Sequence, residues 1–197
     1  MKKSRRLLSV LLALVLVFSV CVVAYADYPE DTTGTVTVLF THDCSSNTNG
    51  TNYWLGYNVN YNTLYQGGTV NIANLQNCTK SYIPTGTSDP MNGHPSVLDA
   101  IIASQPTYLY DLGWDANPYE GDPGAYVHNV QNTQLESHYT EIGGIHRSWG
   151  KGFVVIIEYY DGNNNFVREF PSEYVSNVPL SDDMVIYVDF SSYDYTW

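Results

Sequence analysis

The stretch "GHPSVLDAIIASQP", residues 93–106, decides the fold class. Ser96 and Asp99 have the spacing of a capping box, in which a serine hydroxyl and an acid three residues on satisfy each other's backbone N–H groups. Val97, Leu98, Ile101 and Ile102 then repeat with helical rhythm, and Pro106 stops the run. A two-turn helix this apolar does not stand alone in water. It has to lie on a sheet, which predicts an α+β fold: a curved, mostly antiparallel sheet covered on one face by a single short helix.

The sequence around it supplies the strands. In "GTVTVLFT" (34–41), Val36, Val38 and Phe40 alternate with polar residues, the period of a half-buried strand. "SSNTNGTN" (45–52) reads as turn material. "YWLGYNVNY" and "GTVNIANL" read as two β segments separated by "NTLYQGG". Downstream, "YDLGWDANPYEGDPG" (110–124) reads as a long acidic loop and "AYVHNV" as a short strand. "GGIHRSWGKG" (143–152) is a Gly-rich approach to the strongest strand, "FVVIIEYY". "DGNNN" makes a tight turn into "FVREF", its hairpin partner, and "MVIYVDFSSYDYTW" is the final strand. No internal repeat interrupts this order, so residues 34–197 read as one domain behind a polar lead, 27–33.

The N-terminus predicts export. "MKKSRRLL" is a basic n-region, an apolar run follows, and "AYAD" carries small residues where a signal peptidase reads. Residues 1–26 are therefore expected to leave as a signal peptide, giving a secreted, extracellular protein without a membrane anchor. Loss of Lys2, Lys3, Arg5 and Arg6 leaves 4 Lys+Arg against 20 Asp+Glu, a formal charge of −16 compared with −12 for the whole chain. Such a surface repels phosphate backbones and anionic lipid, which excludes nucleic acid and membrane surfaces as partners. Cys44 and Cys78 remain; in an exported chain two cysteines make one disulfide, with a pair of free thiols as the alternative.

The order of elements resembles a bacterial secreted domain of unknown function similar to the C-terminal domain of transcobalamin and intrinsic factor. Ser96–Ile101 match that family's "TVLDAL"-like helix. Gly152, Phe153 and Asp161-Gly162 match its "GWxYxVNG"-like strand and turn. Leu180, Asp183 and Ile186 match the "L-x-x-G-D-x-I-x-W" entry to the last strand, with Asp182 standing where the family has glycine. The resemblance implies a β-grasp-like fold. In the vitamin carriers that domain forms one wall of a cobalamin site beside a helical domain, which this chain lacks, so no ligand residue carries over.

Candidate sites come from the residues themselves. Asp111, Asp115, Glu120 and Asp122 offer the oxygen ligands that Ca²⁺ favours, although their spacing is not that of an EF-hand; a solvated acidic loop is the plainer reading. The five histidines lack zinc-site spacing, and no nucleophile elbow, H-E-x-x-H or phosphate loop is present. Trp114, Tyr119 and Trp149 sit in polar, Gly-rich sequence, the setting in which rings stack on a polar ligand. Arg147 and Lys151 flank Trp149, making it the candidate for recognising a carboxylate-bearing group. These features together predict a non-enzymatic module that binds a small polar ligand or a protein, with a corrinoid as the ligand the resemblance implies. Glycan binding and adhesion is the alternative, and a hydrolase comes third.

Overall fold

Two long strands organise the chain. The computed structural model describes residues 30–77, 81, 83–84, 89, 91–116 and 123–197. Strand β1 (Thr35–Thr48) and the final strand β9 (Val185–Thr196) run parallel and hydrogen-bonded side by side. On the far side of β1 lie β2 (Thr51–Trp54), against its C-terminal half, and β3 (Thr63–Asn71), against its N-terminal half. On the far side of β9 runs β7 (Ile145–Tyr160), antiparallel to it from Arg147 to Glu158. β6 (Glu136–Ile142) and β8 (Phe166–Glu169) pair with the two halves of β7. Every pairing in this seven-stranded sheet is antiparallel except β1–β9. β4 (Tyr110–Asp115) and β5 (Gly124–Val130) form a separate two-stranded ribbon.

Helix α1 (Val97–Ser104) is where the sequence places it, and the capping box is complete. The Asp99 backbone donates to the Ser96 hydroxyl, and the Ser96 N–H donates to the Asp99 carboxylate at 2.7 Å. Val97, Leu98, Ala100 and Ile101 are fully buried against Val36, Val38 and Phe40 of β1 and Ile186 and Val188 of β9. Burying Val97, Leu98 and Ile101 contributes roughly 1.5–3 kcal/mol each, which holds this short helix to the sheet. Near its end the helix comes down on β3 so closely that a Cβ on Gly68 would sit 2.5 Å from the Ser104 carbonyl oxygen. "NTLYQGG" is therefore not a separator: Thr63–Gly68 is the first part of β3, and its glycine admits the helix.

Other expectations are corrected in the same way. Residues 45–52 are a hairpin, with only Asn49 and Gly50 turning the chain. Both have positive φ (50° and 81°), the two-residue turn that suits the twist of paired strands. Gly143 and Gly144 do the same between β6 and β7 (62° and 80°), so the Gly-rich approach is the tip of a hairpin and β7 is 16 residues long. The first half of the acidic loop is strand β4, pulled into order by its pairing with β5.

Hydrogen bonds join the start of β1 to the entry of β9. The Asp182 carboxylate, standing where the resembling family has glycine, accepts from the N–H of Thr35 at 2.8 Å and from that of Asp183 at 3.0 Å. The polar lead is also engaged, since Asp31 donates its N–H to Leu180 O and accepts from Asp182 N.

Midway along β1 the parallel register breaks. Between His42 and Ser46 the strand uses three residues where β9 uses only Ser191, and Asp43 takes φ 51°. Asp189, fully buried, holds this bulge. Its carboxylate accepts from Thr41 Oγ1 at 2.8 Å, Cys44 N at 3.2 Å and Ser45 Oγ at 2.7 Å. Asp189→Ala leaves three buried donors without an acceptor and is expected to cost about 3 kcal/mol or more. Asp189→Asn, which keeps one acceptor oxygen, should cost less. Urea unfolding of the two variants against wild type checks both the size and the order.

Candidate functional site

Beyond the bulge the sheet curls into a trough that ends against β5. It has a volume of about 610 Å³. Ser46 and Asn47 of β1 and Asn52 of β2 form one side, and Glu136 and Ser137 of β6 the other. Phe153 of β7 and Ser191 and Ser192 of β9 lie between them, and Tyr126 and His128 of β5 close it. Tyr193 and Tyr195 complete the aromatic lining. The strands run here because the bulge resets β1, so that Ser46 pairs with Ser192 and Ser192 with Lys151.

Of the residues singled out in the sequence, Lys151 is in this lining, and Trp149 and Arg147 follow it at alternate positions of β7. Both cations are already matched. Lys151 Nζ lies 2.9 Å from Asp43, and Arg147 makes two bonds to Asp194, at 2.9 and 2.6 Å. The Arg147 hydrogen bonds hold the Asp194 carboxyl below its ordinary range. Partial burial raises the Asp43 carboxyl, but the hydrogen bonds from Lys151 and His42 outweigh it and leave the group lowered. The Trp149 ring stacks on His138 (centroids 5.4 Å, 23°) and lies 4.9 Å from the Arg147 guanidinium. The stretch expected to recognise an anion is thus a ladder whose charges are satisfied internally. Arg168 completes the pattern elsewhere, bonded to Glu158 and lying over the Trp54 ring at 4.6 Å.

Trp114 packs against the core from β4, and its Nε1 is buried with no hydrogen-bond partner among the described residues. Tyr119, Glu120 and Asp122 lie outside the described residues. The two described acids of the expected Ca²⁺ set point to different partners: Asp111 to His128 at 2.8 Å, and Asp115 to the Tyr174 hydroxyl at 2.6 Å. Among the described residues no group of three or more His, Cys, Asp and Glu side chains is placed to hold a metal ion.

Cys44 is a free, fully buried thiol among the described residues, and Cys78, its expected partner, lies outside them. Its Sγ donates to the His42 carbonyl at 3.8 Å from within the bulge. Burial, with the Asp189 carboxylate adding to it, pushes the thiol up to about 12.

The residues that sequence reasoning missed are those of the trough other than Lys151. The only signal was the alternation of Ser191, Tyr193 and Tyr195 in the final strand, which places small and aromatic groups on one side of β9. No family model, curated protein or solved structure matches the chain. No helix among the described residues is long and apolar enough to cross a membrane.

Two outcomes follow from these placements. In a Cys78→Ser variant, Ellman's reagent should leave Cys44 unmodified at pH 8 and react fully in urea, because thiol reactivity requires the thiolate. The folded thiol keeps its proton above the ordinary value of 9.0 while the unfolded thiol loses it. Its contribution is therefore complete below pH 9 and lost as pH rises from 9 toward 12, and chemical denaturation across that range should show a falling midpoint. Separately, Trp114→Ala should destabilise by about 3–5 kcal/mol, whereas Trp114→Phe, which deletes a buried N–H, should be close to neutral.

Proposed function

We propose that this chain is a secreted, non-enzymatic binding module of the transcobalamin-C-like type, and that its ligand site is the trough bounded by β1, β5, β6, β7 and β9. The strand order supports the β-grasp-like reading. A first hairpin (β1, β3) is followed by α1, then an antiparallel pair (β7, β8), and a last strand inserts parallel to the first. Ligand sites on such scaffolds belong to loops and sheet ends and not to the core.

The observation that carries the proposal is the state of the trough's polar groups. Ser46, Ser137, Ser191 and Ser192 are among the residues that line a cavity of about 610 Å³, Ser46 and Ser192 from one face of the sheet and Ser137 and Ser191 from the other, and their hydroxyls make no hydrogen bond with any described residue. Concave sites of roughly 300–1,000 Å³ enclose most of a small ligand's surface, and a few convergent polar groups fix its orientation. Unused hydroxyls in this concavity are what a bound molecule would complete. A corrinoid would use this trough as one wall of its site, as the resemblance implies.

The test is a ¹H–¹⁵N NMR titration of the exported chain with cobinamide and with a library of small amides, alcohols and aromatic acids. Binders should shift the amides of Gly152, Ser191 and Ser192, and Ser192→Trp, which fills the trough, should abolish those shifts. Ligands that instead map to α1 or to the β2–β3 edge would move the site elsewhere.

A further inference from the structure

We propose that the trough takes an extended, basic-ended peptide of a partner protein, added as a strand to the open edge of β7, an inference that rests on the trough being the ligand site. Three observations define this occupant.

The first is an unpaired stretch of β7. β6 pairs with it up to Lys151 and β8 from Ile157, so Gly152 to Ile156 have β9 on one side and no described strand on the other. The β8 register, continued, would set Pro171 opposite Val155, and proline has no N–H to give the ladder. Antiparallel pairing alternates, which fixes where each backbone group points. His146 and Trp197 exchange both backbone bonds, so the even-numbered residues of β7 are bonded to β9. On the other side Asp161 N–H donates to Asn165 O, in register with β8, so the odd-numbered residues face away from β9. Phe153 and Val155 therefore direct their N–H and C=O groups into the gap, and these groups bond to no described residue. Such an edge is a template for another chain. At about 3.3 Å per residue the gap is roughly 16 Å long, the length of a short strand.

The second is room along that edge. The trough borders Lys151 to Val154, and a second cavity of about 200 Å³ borders Phe153 to Val155 and continues to Phe170 and Pro171. A sheet face offers only alternate residues, so a run of consecutive ones marks an edge. Gly152 is not in the left-handed region, and a Cβ there would meet only the Tyr193 ring, at 4.0 Å. Neither conformation nor packing calls for glycine at that position, and glycine within a strand suits the close approach of a second backbone.

The third is charge. Glu136 borders one end of the gap, and Glu169 and Glu173 the other. Lys151, the cation beside them, is matched by Asp43. A peptide with Lys or Arg at its ends complements these carboxylates, and an apolar side chain between them fills the second cavity against Val154, Phe170 and Pro171. Main-chain bonds then supply affinity, and the alternate side chains supply selectivity.

The experiment selects binders of the exported chain from a phage-displayed library of random linear heptapeptides, and follows the strongest hit, synthesised, by amide hydrogen exchange. In the free chain the Phe153 and Val155 amides should exchange at least tenfold faster than those of Gly152, Val154 and Ile156, and the peptide should slow the first two. N-methylation of the peptide's central amide should weaken binding about tenfold, as should replacement of its basic ends by Glu. The inference is overturned if Phe153 and Val155 are as protected in the free chain as their neighbours, or if the N-methylated or acidic peptide binds equally well. It is also overturned if protection in the free chain rises with its concentration, since a second copy then occupies the edge. Should small molecules shift the amides of Gly152, Ser191 and Ser192 while no peptide pairs with the edge, the peptide assignment fails and the ligand site stands. If neither reaches the trough, both fall.

Discussion

The architecture turns on one carboxylate. Asp189 is buried without any cation among its partners and is satisfied by two hydroxyls and one backbone N–H, all from β1. Burying a charge costs several kcal/mol unless hydrogen bonds replace the lost water, and here they come from three residues of a five-residue span. The bulge adds two residues to β1 relative to β9, so Ser46 and Thr48 keep the face of Val36, Val38 and Phe40 while the chain between them is displaced, and it separates the half of β1 under the helix from the half beside the trough. Core and site thus share the same strands, and the division between them is drawn by Asp189.

A second constraint is the scarcity of positive charge. Each basic side chain among the described residues is paired with a carboxylate: Arg147 with Asp194, Lys151 with Asp43, Arg168 with Glu158. Exposed pairs of this kind contribute little to stability. Their effect is on the surface, because they leave it strongly acidic without an unpaired Lys or Arg among the described residues.

How much of this was legible in the sequence depends on the range of the interactions involved. The capping box at Ser96 and Asp99, the apolar stripe of α1 and the alternation at the start of β1 are local signals, and they led to the right elements. The hairpin at Asn49-Gly50 was legible but lost among the polar residues around it, since Asn and Ser run through both turn and strand. β4 and β6 escaped because their order comes from partners: Asp111 and Trp114 read as loop until β5 lies beside them, and β6 is exposed along most of its length. The trough was beyond reach for a further reason. Ser46, Glu136 and Ser192 come together only through a bulge set by a residue 144 positions from Ser45. Arg147 and Trp149 drew attention by composition, yet what decides their role is Asp194 and His138, which no spacing rule connects to them.

The parallel pairing of β1 with β9 also governs when the molecule can acquire its shape. Closing contacts between segments so far apart in the chain costs loop entropy before any pairing repays it, and folds dominated by such contacts form slowly. Here the first strand pairs with the last, and the bulge that shapes β1 is held by a residue of β9. Until β9 has been made, β1 has an open edge and its turn at Asp43 has no support. The β1–β9 pairing therefore forms only once the final strand has been made.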